Sequence, residues 1–538
     1  MSPMTIDRNP DAAAGPIDPG TLTMVAVRDG LLAGRPVIVL GFARSGIALA
    51  RFLVDAGARV TIYDQRPAGE LHEAVAALEG RAVTLALGPE VEPAALLGGA
   101  ALVVSSPSVN PDYPTTEPRL RAALRAIVAA RLAGDPSAPA LVWEPDLFLR
   151  LCVAPTIGVT GTKGKTTTAS LSAALLAADP SHPVLLGGNI GTPLVERLPE
   201  ITPEHRVVYE LSELQLPTLS RGTTVAVYTN VTADHLDRHG SVSEYRRVKR
   251  LLAELVDPEG AIVLNLEDPV VAAYAGLGTA PAVLYRADHP TPGGVGVVDG
   301  WIVAAAVERL PLAGGGVAGA GPGGRIMPVA ELGIPGRHSL SNALAAISVA
   351  LLFGVAPDAI RAAAARFTGV RHRLESVAVI DGIRFVNDSM GTQPDAVIAA
   401  LRAFEGPIVL IAGGRDKGVQ MDDLAREVAS RAVAAVLIGE SAPDLAARFG
   451  AAGLARIETL GDLEPAVRRA HESAREAAAG LDRLPDWAGS AQRATVLLSP
   501  AAASFDQFVD YAARGEAFRL AVAHLERDLS GRNGEPGR

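Results

Sequence analysis

The stretch GVTGTKGKTTT, residues 158–168, sets glycines, lysines and threonines between an apolar run (154–159) and the helical-looking ASLSAALLAA. Glycines let backbone N–H groups turn inward around phosphate oxygens, and the start of a helix adds its positive end. Within Gly164-Lys165-Thr166, the lysine would reach the terminal phosphates of a nucleotide and the threonine hydroxyl would hold Mg²⁺. Gly161, Thr162, Lys163 and Thr167 complete the loop. Strict spacing asks for a glycine at 159, where this chain has Val159. The bland alternative is a glycine-rich turn that holds nothing.

Two further groups could serve a cation beside phosphates. Glu210 and His235 each follow an apolar, strand-like run, and a hard cation takes oxygen ligands with at most a nitrogen. A capping carboxylate and an ordinary loop histidine are the plain alternatives. In SVSEYRRVKRLLAEL, Tyr245, Val248, Leu252 and Leu255 trace an apolar helical stripe. Lys249 lies beside that stripe, where a lysine ordinarily snorkels to water. Nearer the start, GFARSG (41–46) follows a strand pattern and Asp64 ends the next. This reads as a weak dinucleotide fingerprint, because Ala43 replaces the middle glycine. It reads equally well as a backbone turn around another diphosphate.

The elements that position these groups are legible as a pattern. Apolar runs such as PVIVLGF, RVTIYD, TIGVTG, HRVVYEL, TVAVYTN, GPIVLIAGG and TVLLSP alternate with Ala/Leu/Arg-rich helical stretches. Most lack polar alternation, as strands buried on both faces do. The expected fold class is therefore α/β with parallel, doubly wound sheets. GTKGKTT, YELSELQ, YTNVTADH, FVNDSMGT, IAGGRDKG and LSPAAAS each begin where such a run ends, where open parallel sheets bind ligands. Seams near Cys152 and near 368–373 divide the chain into 25–152, 153–370 and 371–530, with a loose leader (1–24) and tail (531–538). LAGGGVAGAGPGG (312–324) reads as a loop or hairpin excursion.

Composition removes several function classes. The chain has 538 residues, a formal charge of −10 and one cysteine. The charge argues against nucleic acid held by phosphate neutralisation. A lone Cys152 excludes an internal disulfide framework and a cysteine zinc site. No apolar run is long enough to span a bilayer, and no signal peptide is evident, so a soluble cytoplasmic protein is expected.

Taken together, GTKGKT, ELSELQL, NVTADHLDRHGS with Lys249 fourteen residues past His235, HRLE, NDS-x-GT, GGRDKG and SPAAASFDQF resemble the Mur ligase family over about residues 35–525. Their order and spacing are most similar to the branch that adds glutamate to UDP-N-acetylmuramoyl-L-alanine. The resemblance implies a monomeric ligase of three α/β domains: a Rossmann-like first domain, a P-loop ATPase-like middle domain and a Rossmann-like third. It implies ATP, two Mg²⁺ ions and an acyl-phosphate intermediate. It makes Lys165 and Thr166 ligands of phosphate and Mg²⁺, Glu210 and His235 metal ligands, and Lys249 a lysine carrying a CO₂-derived carbamate. Asn342, Arg373 and Asp388 would lie on the ATP side, and Asn189 near substrate and metal. Ala43, Arg44, Ser45, Asp64 and Gln65 would grip the UDP moiety. Thr392, Lys417, Ser504 and Tyr511 would hold the incoming glutamate.

Three positions depart from the family pattern: Met390 where a lysine is usual, Ser108 in place of the glycine of SPG, and Ser339 in place of the first asparagine of H-N-x-x-N. Met390 leaves the choice between D- and L-glutamate open. The alternatives are an L-glutamate-adding variant, a sister muramoyl or folylpolyglutamate-type ligase, and a nucleotide-binding module without catalysis.

Overall fold

The apolar runs form three successive sheets in a computed structural model that describes residues 15–191, 193–232, 240–334, 336–415, 420–481 and 493–532. The chain divides after Phe367 into two compact units.

The first unit holds two sheets. β1 (Pro36–Leu40), β2 (Arg59–Asp64), β3 (Thr84–Leu87), β4 (Leu102–Ser105) and β5 (Ala140–Trp143) lie in the order β3-β2-β1-β4-β5, all parallel. Strand order reverses at β1, so the GFARSG loop opens at the switch point, the usual ligand crevice of such sheets. Residues 15–24, grouped in the sequence with the leader, carry two anchors for this sheet. Ile17 N donates to Ala101 O at 2.7 Å, and Ile17, Leu22 and Met24 are buried.

The second sheet runs β14-β13-β12-β11-β10-β9-β6-β8-β7. β6 (Thr156–Thr160), β7 (Val184–Gly188), β8 (Arg206–Glu210), β9 (Val225–Tyr228), β10 (Ala261–Asn265), β11 (Ala282–Tyr285) and β12 (Val295–Val298) are parallel. β13 (Trp301–Ala304) and β14 (Arg325–Pro328) complete it as antiparallel neighbours. The Gly/Pro-rich 312–324 segment is the link between those two strands, with short 3₁₀ turns at Pro311–Ala313 and Pro322–Gly324.

Burial explains the missing polar alternation. Val207 and Tyr209 point into a core shared with Val37 and Val104 of the first sheet, while Val208 faces the opposite core with Ile157, Leu171 and Ile347. The seam near Cys152 is accordingly packed, and polar links cross it: Asp146 Oδ1 accepts from Ser220 N at 2.7 Å, and Arg51 pairs with Glu196 at 3.3 Å.

In the second unit the order is β15-β16-β20-β17-β18-β19, from β15 (Glu375–Ile380), β16 (Ile383–Asn387), β17 (Ile408–Gly413), β18 (Ala432–Ile438), β19 (Ile457–Thr459) and β20 (Ala494–Leu498). Only β15 is antiparallel. It joins β16 through Asp381-Gly382, both at positive φ, as a two-residue hairpin turn requires.

Candidate active site

The phosphate loop is built from β6 and the helix Lys165–Leu176. Val159 is fully buried and lies in register with Glu210 of β8 and Val227 of β9. Position 159 therefore belongs to the strand, and the loop starts two residues later. Gly161 takes φ 148° there, and a Cβ would sit 2.0 Å from Thr229 Oγ1. Gly164, at φ 86°, caps the helix, and its own Cβ would meet Asn342 Oδ1 at 2.5 Å. Both positions demand glycine.

The end of β9 props the loop open from beneath. Thr162 N donates to Asn230 O (2.7 Å), Lys163 N to Asn230 Oδ1 (2.9 Å), and Thr229 Oγ1 to Lys163 O (2.6 Å). Lys165 curls back, its Nζ donating to Gly161 O at 3.0 Å and Thr162 O at 2.9 Å. Thr166 is buried in the first helical turn, and Thr167 is half-buried beside it. Asn342, on the helix Arg337–Leu352, accepts from Thr168 Oγ1 at 3.3 Å and so stands against the loop itself.

Two charged groups meet at this loop. Glu210 is 1% exposed: its Oε1 accepts from Asn189 Nδ2 at 3.0 Å, and its Oε2 is buried without a partner. Asn189 also donates its backbone N–H to Glu210 O at 2.9 Å, which fixes the pair. Lys249 does not snorkel. Its side chain is fully buried, and Nζ donates to Thr160 Oγ1 (3.2 Å) and Gly161 O (2.9 Å) while lying 5.6 Å from the centre of the Tyr245 ring. The cause is the end of β6, which presents acceptors where the helix stripe would otherwise bury bare methylenes. Among the described residues no set of three His, Cys, Asp or Glu side chains is grouped for a metal. His235 lies outside the described residues.

At the switch point of the first sheet, a cavity of about 340 Å³ is lined by Ala43, Tyr63, Asp64, Gln65, Arg66 and Ser106 among others. Asp64 spends its carboxylate on the loop: Oδ2 accepts from Phe42 N (2.8 Å) and Arg66 Nη2 (2.8 Å), and Oδ1 from Arg66 N and Nε (3.0 Å each). Ala43 caps the following helix, and Arg44 and Ser45 form its first turn. Sequence reasoning missed Arg66. The available signal was a cation two residues past the strand-ending acid. Ser108, the residue in place of a glycine, is within 3.1 Å of Ser106 Oγ through its hydroxyl.

The second unit gathers its own polar cluster after β16, β17 and β20. Asp388 is buried, accepting from Ser499 Oγ (2.6 Å) and Leu374 N (3.2 Å). Burial pushes its carboxyl up to about 6 against the opposing bonds and the nearby Arg373. Ser504 is buried, Thr392 is half-buried, and Tyr511 stands edge-on to the His372 ring at 6.4 Å. His372, Leu374 and Ala501 all take positive φ in this cluster, a concentration of backbone strain typical of functional sites. Lys417 lies outside the described residues.

A parallel sheet with a phosphate-type loop at its switch strand, and a buried carboxylate oxygen left open beside it, defines the class of nucleotide-using α/β enzymes. The Mur ligase middle domain matches residues 159–350, and the Mur ligase glutamate ligase domain matches 372–481. The chain is 38% identical over 494 residues to the UDP-N-acetylmuramoylalanine--D-glutamate ligase of Symbiobacterium thermophilum, covering 90% of this chain and 97% of that one. It is 37% identical over 506 residues to the enzyme of the same name from a Roseiflexus species, covering 91% and 99%. With the corresponding protein of Anaeromyxobacter dehalogenans the identity is 38% over 505 residues, covering 92% and 99%. The chain belongs to the Mur ligase family, and it is an α/β ligase. Among solved structures, a Thermotoga maritima UDP-N-acetylmuramate-alanine ligase is similar at 19% identity and TM-score 0.47, covering 92% of this chain and all of that one. Among the described residues no helix is long and apolar enough to cross a membrane.

Proposed function

We propose that the protein joins glutamate, in its D form, to UDP-N-acetylmuramoyl-L-alanine at the expense of ATP, in the cytoplasmic synthesis of peptidoglycan precursors. The observation that carries this reading is the buried, unpartnered Oε2 of Glu210 beside the glycine loop, in a chain similar along nine-tenths of its length to ligases of that name. A buried carboxylate oxygen without a donor is costly unless a ligand completes it. A divalent cation fits: Thr166, Glu210 and His235 would hold it, with Lys249 as a carbamate supporting a second, and it would neutralise charge between two anions.

The chain's own groups have defined tasks in this reading. Lys165 exchanges its bonds to Gly161 O and Thr162 O for the ATP phosphates. The backbone N–H groups of 161–167 cradle the same oxygens. The substrate carboxylate attacks the γ-phosphorus, ADP leaves, and the amine of glutamate then displaces phosphate from the acyl phosphate. No side-chain nucleophile is needed. Burial pushes the Cys152 thiol up to about 11, so it stays protonated and inert. The cavity at β1 and β2 takes the UDP moiety, with Arg66 added to Ala43, Arg44, Ser45 and Gln65. Thr392, Lys417, Ser504 and Tyr511 receive glutamate, and Arg373, Asp388 and Asn342 serve ATP. The division into 25–152, 153–370 and 371–530 and a monomeric state belong to the same proposal.

The test is product mass and phosphate release with ATP, Mg²⁺ and UDP-N-acetylmuramoyl-L-alanine, offering D- and L-glutamate separately. Product with D-glutamate alone is expected. Product with L-glutamate alone would reassign the acceptor, and no product with either would remove the reading.

A further inference from the structure

Among the described residues of the second unit, the arginine buried as deeply as the hydrophobic core is Arg514, which is 1% exposed. It sits in the first turn of the helix Tyr511–Arg532, where a cation gains nothing from the helix dipole. Burial pulls its guanidinium down to about 10, which leaves it protonated at neutral pH. Its bonds show what compensates. Nε donates to Ser389 Oγ (3.0 Å) and Nη2 to Ser389 O (3.1 Å), both in the segment after β16. Nη1 donates to Gly413 O (3.4 Å), the last residue of β17. Nη1 also donates to Ala502 O and Ala503 O (3.3 Å each), and Nη2 to Ala502 O (3.2 Å), all after β20.

Every acceptor is a carbonyl or a hydroxyl, and no carboxylate shares in the set. An ion pair would have been the ordinary way to bury this charge. A planar fork instead ties together three chain segments, which are also joined by Ala501 N to Gly391 O and Gly413 N to Pro500 O (2.8 Å each). The packing around it leaves no slack. A Cβ on Gly414 would lie 2.2 Å from Ala503 O and 3.0 Å from Arg514 Nη1, and one on Gly515 would lie 2.2 Å from His372 Nδ1. Ser389 Oγ passes the link onward by donating to Tyr511 O at 2.7 Å. Arg415 and Ala503 then close β17 and β20 with paired backbone bonds of 2.9 and 3.2 Å.

We propose that Arg514 is a positioning residue for the amino-acid acceptor: its guanidinium holds the segments after β16, β17 and β20 in one arrangement. The inference rests on the proposed function in one respect only, that Thr392, Ser504 and Tyr511, which those segments carry, receive an acceptor with two carboxylates. A lysine cannot substitute, because a single ammonium reaches one or two of these acceptors and leaves the other carbonyls unpaired.

The experiment pairs Arg514→Lys with Ser389→Ala in the full-length protein. Kinetics with ATP, UDP-N-acetylmuramoyl-L-alanine and D-glutamate should show kcat/KM for glutamate falling about a hundredfold in Arg514→Lys, mainly through KM, while KM for ATP and for the UDP substrate moves by less than about twofold. Ser389→Ala, which removes the two hydroxyl bonds to Arg514 Nε and Tyr511 O and keeps the arginine, should give a smaller loss of the same kind. Unchanged KM for glutamate in Arg514→Lys overturns the proposal, as does an equal rise in KM for all three substrates.

Amide hydrogen exchange gives a second readout that needs no turnover. In both variants the segments 387–392, 413–415 and 499–504 should lose protection together, while β18 keeps its own. Unchanged protection overturns the clamp whatever the substrate. Loosened segments in a protein that ligates neither glutamate enantiomer would uphold the clamp and remove the acceptor reading instead.

Discussion

The loop after β6 and the loops after β16, β17 and β20 solve the same problem in opposite ways. Each sits at the carboxyl end of a parallel sheet, and each must hold irregular backbone still without a regular ladder. The first is held by Thr229 and Asn230 together with the buried Lys249 ammonium, and keeps buried valence in reserve: Glu210 Oε2 has no donor. The second is held from inside by a charge, with Arg514 saturating carbonyls of three segments and Asp388 taking donors from Ser499 and Leu374. A site with open valence is ready for a ligand that completes it. A site whose polar groups are mutually satisfied can only present a shape. The physical distinction is therefore between coordination and framework.

If Glu210 and Lys165 belong to a coordinating site, removing either should cost most. Glu210→Gln and Lys165→Ala are each expected to lower kcat by about a hundred- to a thousandfold, as loss of a preorganised charged group does. A loss below tenfold in both would break the comparison. Lys249→Ala should follow closely, and short-chain carboxylates added to the assay should restore part of its activity. Full activity in the plain mutant would mean that the buried ammonium only packs. Asn189→Ala should weaken Mg²⁺ dependence by about ten- to a hundredfold, since Asn189 orients Glu210 without replacing it. A shift in KM for ATP with none for Mg²⁺ would separate the two roles.

The framework site makes a prediction about pH. Folding raises the Asp388 carboxyl from 3.8 to about 6, chiefly by burial. Its folded form therefore binds the proton more tightly, and the stability this group contributes is fully present only below about pH 4. As pH rises from there through about 6, that contribution, roughly 3 kcal/mol, is lost. Melting of Asp388→Asn across that window should be flatter than that of the unmutated protein. The first unit has a counterpart in Glu144, which is buried and pushed up to about 7 despite the opposing charge of Arg44. Glu144→Gln should flatten the slope between about pH 4.5 and 7. Identical slopes in variants and parent would show that neither burial governs stability. The smallest effect is expected for Cys152→Ser: less than about 1 kcal/mol in stability and no change in kcat. A large rate loss would expose a thiol function.

Much of this molecule was legible in one dimension. The seven apolar runs quoted as strand-like all contain strands, because strands buried on both faces must be continuously apolar whatever packs against them. The phosphate loop was legible because Gly161 and Gly164 need backbone angles that few other residues adopt. Edge strands such as β3, β5 and β19 were not legible, because they are short and only partly buried and so lack the continuous apolar run of a central strand such as β9. The β15–β16 hairpin had a local signal in Asp381-Gly382 that was passed over.

By itself the sequence determined which groups are available and which strand ends carry them, since residue type and backbone propensity are local. The tertiary structure decided their state. Lys249 reads as a surface lysine on its own helix and is buried only because the end of β6 brings Thr160 and Gly161 to it. Asp64 reads as a free acid and is consumed by Phe42 and Arg66 from two turns of chain. Arg514 carries no motif at all, and its role exists only where three distant segments converge on one guanidinium. Solvation and partner geometry are properties of neighbours in space, and these contacts span from 2 to 125 residues of sequence.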